Sequence, residues 1–357
     1  MGAETEKLGG VTRAVFSGMM GVLTNSLLWI WSRAMKFALV LTSLLLGCAF
    51  CAPALAFDCK AARSPIEKII CADAGLLALD DPMGKAYGEV RALGDAAAKA
   101  ALASSQRAWL ATRDGCLKQE KVSACLAAQM TRRLAYLTGR PEAGPGAASR
   151  LVPLIRWRQA PAKAEQRIEA FAFAAPATSG EKRFNDLVRG FVDDVIADMG
   201  GQPERATTVE VMASLPYASA RFVSAHLDVY TMAEGAAHPN TSSRNVNVDL
   251  ARGRELAFAD LFDAAAGRRI TGLCREQVLK DKTERGMDDA DADEVREFDA
   301  ALAKALPDLS AWSFTADHVS VTFDRYVVGS YAEGPYGCDL PYADLRPLAR
   351  PGAWPVD

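Results

Sequence analysis

Three histidines, His226, His238 and His318, are all the imidazoles in the chain. Asp228 follows His226 by two residues, which puts both side chains on one face of a strand. Glu234 precedes His238 by four. A nucleophile–base pair or a metal site needs a third convergent group, and neither an HExxH nor a GxSxG pattern occurs. His238-Pro239-Asn240 lies in a stretch of glycine, alanine and proline, where such residues shape a turn. The run Asp289-Ala290-Asp291-Ala292-Asp293 has the alternation of a calcium loop. Glu294, however, stands where that loop needs glycine, and Ala300 where it needs its last carboxylate. The chain reads as a non-enzyme with no catalytic residue, metal or cofactor.

Cysteines give a different chemistry. Arg33 and Lys36 flank Met35, an apolar run follows from Phe37 to Leu46, and Ala54-Leu55-Ala56 ends the segment. That is the pattern of a secretory signal, with cleavage expected after Ala56 and Met35 as the expected true start. Two alternatives keep the chain at a membrane: the earlier apolar run from Ala14 to Trp31, or a lipid on Cys48. Cleavage leaves six cysteines: Cys59, Cys71, Cys116 and Cys125 in a first module, Cys274 and Cys338 in a second. In an exported protein this reads as two bridges and one. Four cysteines allow three pairings, and their order does not choose among them.

The elements that carry these residues fall into two groups. Residues 57–140 are helical. Ser64-Pro65-Ile66-Glu67 has the form of a capped helix start, and Ile66, Ile69 and Ile70 recur at helical spacing. A long helix is expected from Met83 to Asp114, with Gly94 an irregularity in it, and another from Ser123 to Leu137. These two should form a hairpin joined near Cys116 and Cys125. Residues 141–150 form a linker rich in glycine, alanine and proline. Residues 151–357 alternate strand-like and helical stretches: strands near 167–174, 207–212, 221–232 and 244–250 and one begun by Val319, Val321 and Phe323, and helices near 184–196, 267–282 and 291–306. The fold class is therefore α + (α+β): a disulfide-braced helical domain, then an antiparallel sheet packed with helices.

Asp58-Cys59, Ser64-Pro65-Ile66-Glu67-Lys68-Ile69-Ile70-Cys71, Leu79-Asp80, Tyr87, Gln106-Arg107-Ala108-Trp109-Leu110, Arg113-Asp114 and Cys116 together resemble the N-terminal domain of LprI-type lysozyme inhibitors. The resemblance implies a helical fold, an exported location and a lysozyme or related muramidase as protein partner. Trp109 and Tyr87 read as core. Arg113 could reach the carboxylate-bearing cleft of such an enzyme, or pair with Glu67 or Asp80 inside its own module.

A second resemblance covers about 166–348. Val229-Tyr230-Thr231-Met232, Gly235-Ala236-Ala237-His238-Pro239-Asn240-Thr241, Asn247-Val248-Asp249-Leu250, Gly253, Leu256, Asp260-Leu261-Phe262, Phe323, Tyr326, Val327, Gly334 and Pro341-Tyr342 resemble the extracellular domain of RsiV-type anti-sigma proteins, whose founding member is a lysozyme receptor.

Charge agrees with a protein partner. Residues 57–140 hold 13 Lys/Arg and 9 Asp/Glu, whereas residues 141–357 hold 24 and 33. No continuous basic face for nucleic acid follows from that balance. An acidic region favours encounter with a basic protein. The candidate contacts are Arg113, Glu234, His238 and Asn240, with peptidoglycan as the alternative ligand.

Overall fold

The computed structural model describes residues 59–145, 150–159, 165–200, 206–287 and 291–356, all within one unit, Ala54–Asp357. The export signal and both membrane alternatives lie outside the described residues.

Helix α1 (Pro65–Ala72) starts at a complete capping box: Glu67 N donates to Ser64 Oγ (3.2 Å) and Ser64 N donates to the Glu67 carboxylate (2.8 Å). The helix expected over 83–114 is two helices, α2 (Ala74–Leu93) and α3 (Ala96–Asp114). They part at Gly94-Asp95 because the Asp95 carboxylate accepts from Ala98 N (2.8 Å), so a cap replaces helix continuation. Helix α4 (Val122–Thr138) returns antiparallel, and Gly139 ends it at φ 61°. A Cβ at Gly139 would collide with the carbonyl of Leu151, so the close turn into the sheet requires glycine. The bridges are Cys59–Cys71, which ties a preceding turn to α1, and Cys116–Cys125, which closes the α3–α4 hairpin.

A six-stranded sheet follows in the order β1 (Leu151–Gln159), β2 (Glu165–Phe173), β3 (Thr207–Ala218), β4 (Phe222–Ala233), β5 (Asn240–Asp249), β6 (Arg254–Glu255). All neighbours are antiparallel except β2 and β3, which run parallel because α5 (Ser179–Gly200) crosses between them. Strand β1 went unread in the sequence. Its Leu-Val-Pro-Leu-Ile start does not alternate, and Pro153 is tolerated because β1 is an edge.

Alternate residues of the sheet serve two cores. Val223, Ala225, Leu227 and Val229 of β4 join Phe184, Val188 and Val192 of α5. That cluster continues without a break into the helical region through Leu151, Leu102, Met130 and Leu137. On the other face, Phe222 packs edge-on to Phe314 at 5.1 Å, and Ser224 Oγ accepts from Phe314 N (3.1 Å). These contacts seat a second sheet, β7 (Trp312–Phe314), β8 (His318–Phe323) and β9 (Tyr336–Pro341). A short turn, α6 (Phe258–Leu261), leads into α7 (Ala264–Glu284) and α8 (Ala292–Ala305), which cover it; α9 (Tyr342–Leu345) follows β9. Cys274–Cys338 staples α7 to β9. Its separation of 64 residues corresponds to about 4 kcal/mol in the loop-entropy account. Gln277 of α7 hydrogen-bonds the backbone O and N of Asp339 (2.8 and 2.9 Å), satisfying β9's outer edge.

Candidate functional site

The Gln106–Leu110 box is tied to the sheet through Arg133. Arg133 of α4 is 3% exposed. It donates to Ser105 Oγ (2.8 Å), to Gln106 Oε1 (3.0 and 3.1 Å) and across to Glu169 of β2 (3.3 Å). Its guanidinium lies over the rings of Trp109 (5.8 Å) and Tyr136 (5.4 Å), and Tyr136 meets Phe171 of β2 edge-on at 5.1 Å. A buried cation needs this full set of acceptors. Burial raises the Tyr136 pKa well above the usual phenol value, and the Glu169 charge adds to the rise.

Arg113 lies on the same aromatic. It pairs with Asp114 through Nε (2.9 Å) and Nη2 (2.7 Å), sits 5.4 Å from the Trp109 ring centroid, and leaves 14% of its side chain exposed. Its charge also reaches Glu67, whose carboxyl is held below the usual range mainly by the Ser64 and Arg63 backbone N–H groups.

The His226–Asp228 pair forms, with His226 Nε2 3.2 Å from Asp228 Oδ1. Nδ1 faces Asn245 Oδ1 at 2.9 Å, and Asn245 is fixed in that sense because its Nδ2 donates to Ser310 O (3.0 Å). Both ring nitrogens therefore face acceptors, which suits the imidazolium and leaves neither free to take a proton from a hydroxyl. Burial opposes that charge, but the bond to Asp228 and its charge, the Asn245 bond and the charge of Asp324 outweigh it, so the pKa is raised. Among the described residues no group of three or more His, Cys, Asp or Glu is placed to hold a metal ion. Asp291 instead caps α8 through Asp293 N (2.8 Å) and Glu294 N (3.0 Å).

The Glu234–Asn240 stretch is the tip of the β4–β5 hairpin, with Glu234, His238 and Asn240 exposed. Residues 324–335 stand beside it and were missed as a unit in the sequence. Tyr331 stacks on His238 at 4.3 Å, lies 2.7 Å from its Nδ1, and donates to Pro239 O (2.9 Å). Arg325 donates to Thr241 Oγ1 and lies over Tyr331 at 5.0 Å. The Asp324 carboxylate accepts from Ser243 N (2.9 Å) and Oγ (3.1 Å). At the far end, Glu333 accepts from Ser330 N (2.6 Å), Lys282 (2.6 Å) and Tyr336 (2.9 Å). Partial burial disfavours its charge, yet those bonds bring its pKa down to about 2. Between these pins Tyr326 stands 75% exposed, 5.9 Å from Tyr331. Among the described residues it alone, apart from glycines, has a positive φ, 69°. An exposed tyrosine held left-handed costs about 1–2 kcal/mol, so the surrounding bonds over-determine its position. An exposed amphipathic ring carried on a backbone pinned on both sides is suited to anchoring a protein partner.

The fold is thus a disulfide-braced helical region joined to an α+β region that displays a pinned aromatic loop. Residues 59–137 match the family model of Lysozyme inhibitor LprI, a family of inhibitors. No curated protein matches the chain. A solved DUF3298-family protein of Bacteroides fragilis is similar at 13% identity and a TM-score of 0.39, over 56% of this chain and 93% of that one. A DUF3298-family protein of Pseudomonas aeruginosa is similar at 14% identity and a TM-score of 0.36, over 58% and 97%. The three bridges are consistent with export, and among the described residues no helix is long and apolar enough to cross a membrane.

Proposed function

We propose that this exported protein recognises a lysozyme or related muramidase and inhibits it by covering the glycan cleft. The observation that carries this reading is the match of residues 59–137 to the LprI lysozyme-inhibitor model. The resemblance of residues 166–348 to the RsiV extracellular domain supports the same partner. The proposed contact surface is the hairpin tip, Glu234, His238 and Asn240, extended by Tyr326. Arg113, folded onto Asp114 and Trp109, contributes only its exposed edge.

The test is a lysis assay in which the chain from Phe57 onward is added to c-type, g-type and bacterial muramidases. Slowed lysis by at least one class, with a stable complex, is expected. Neither inhibition nor a complex at micromolar concentration would sink the reading. Retention on purified sacculi with lysis unchanged would point to peptidoglycan instead.

A further inference from the structure

We infer that the groove between α7, α8 and residues 327–333 receives an arginine or lysine side chain of the protein partner. This rests on the function proposed above and names the partner's chemistry at the adjoining surface. The groove holds about 840 Å³. Leu279, Val295, Phe298 and Val328 give it an apolar lining, and Glu294 and Glu297 stand exposed on it.

Lys282 lines the groove but is held by its own partner there, and Arg285 nearby is held at its rim. Lys282 is 2.6 Å from Glu333 and lies over the rings of Tyr336 (4.6 Å) and Phe298 (5.4 Å). Arg285 pairs with Asp281 (2.6 and 2.8 Å), donates to Glu333 O and Pro335 O, and lies over Tyr336 at 4.4 Å. Glu294, third in α8, accepts the Asp291 backbone N–H (2.9 Å) as part of the capping box, and no side-chain cation pairs with it among the described residues. Glu297 is exposed and makes no ion pair among the described residues.

An apolar lining below free carboxylates fits a side chain with an aliphatic stem and a cationic head. A purely apolar partner would desolvate those carboxylates without compensation. The groove also adjoins the aromatic loop: Val327, next to Tyr326, lines it and is 37% exposed, and Met287, past the end of α7, lines it too and is 45% exposed. A partner seated on Tyr326 therefore reaches it. The excess of 33 acidic over 24 basic residues in 141–357 has the same sign at long range.

The test uses the double variant Glu294→Gln/Glu297→Lys, since glutamine keeps the α8 cap while losing the charge. Asp193→Asn/Asp194→Lys on α5 makes the same charge change elsewhere. Binding to a c-type lysozyme is measured at low and high salt. The groove variant should bind about tenfold more weakly at low salt, with a smaller difference at high salt, while the α5 variant stays within about twofold of the parent. Undiminished binding by the groove variant, or an equal loss in the α5 variant, overturns the inference and leaves the inhibitor reading standing. Should the parent not bind lysozyme at all, a short Arg-Leu peptide serves as probe. Binding by the parent that is lost in the groove variant supports the groove, and absence of peptide binding overturns it.

Discussion

Around Arg133, two aromatic rings stack on a guanidinium that is 3% exposed, whereas around Tyr331 gather a guanidinium, an imidazole and a second phenol, Tyr326, that is 75% exposed. The first cluster joins α3 and α4 to β2 and leaves little reach for a partner. The second is pinned from four sides, by Ser243, Thr241, His238 and Lys282, yet its most prominent ring packs on little. Cation–aromatic composition alone therefore does not mark a binding surface. What separates the two is whether the fold closes over the cluster.

The contrast breaks most sharply at Glu169. Glu169→Ala leaves Arg133 without its ion-pair partner in a buried site and should cost about 3–5 kcal/mol in urea unfolding. The folded fraction should bind lysozyme as before; lost affinity without lost stability would mean that the Arg133 cluster is a contact surface. Next in size is Glu333→Gln, expected to cost about 2 kcal/mol and to weaken lysozyme binding through a looser loop. Because the folded pKa of Glu333 is lowered to about 2, its contribution is complete above the unfolded value near 4.5 and fades as pH falls toward 2. The acid limb of the unfolding curve should flatten in the variant.

Tyr326→Gly separates strain from recognition. It should stabilise the fold by about 1 kcal/mol while reducing lysozyme affinity, opposite directions that a purely structural residue would not produce. Retained affinity in a calorimetric titration would remove Tyr326 from the surface. The smallest effect belongs to His226. Its folded pKa is raised, so its stabilisation is full below the unfolded value near 6.5 and is lost as pH rises through the folded one. His226→Gln should abolish a slope of under about 1 kcal/mol in stability above pH 6.5, and an NMR titration showing a lowered pKa would contradict it.

Local pattern made much of the frame legible. Ser64 and Glu67 announce the start of α1, and the alternation of Asn245, Val246, Asn247 and Val248 announces β5, because cap and pleat are properties of neighbouring residues. Arg133 was readable in principle. Leu126, Met130, Arg133, Tyr136 and Leu137 are the buried residues of α4, whereas Leu134 in the same stretch is only half-buried. A charge on an apolar stripe signals a buried partner, but the partner, Glu169, lies in a strand 36 residues on.

By itself the sequence determined a cysteine set suited to bridging in an exported chain, a helical region ahead of an α+β one, and a basic-to-acidic change between them. Composition and periodicity suffice for those. Only the tertiary structure decided which cysteines meet, that Arg133 ties the Trp109 box to Glu169 of β2, and that Tyr331 stacks on His238 with a left-handed Tyr326 next to it. The physical reason is the same in each case: these contacts join residues that are distant along the chain or impose a backbone conformation that no local preference selects.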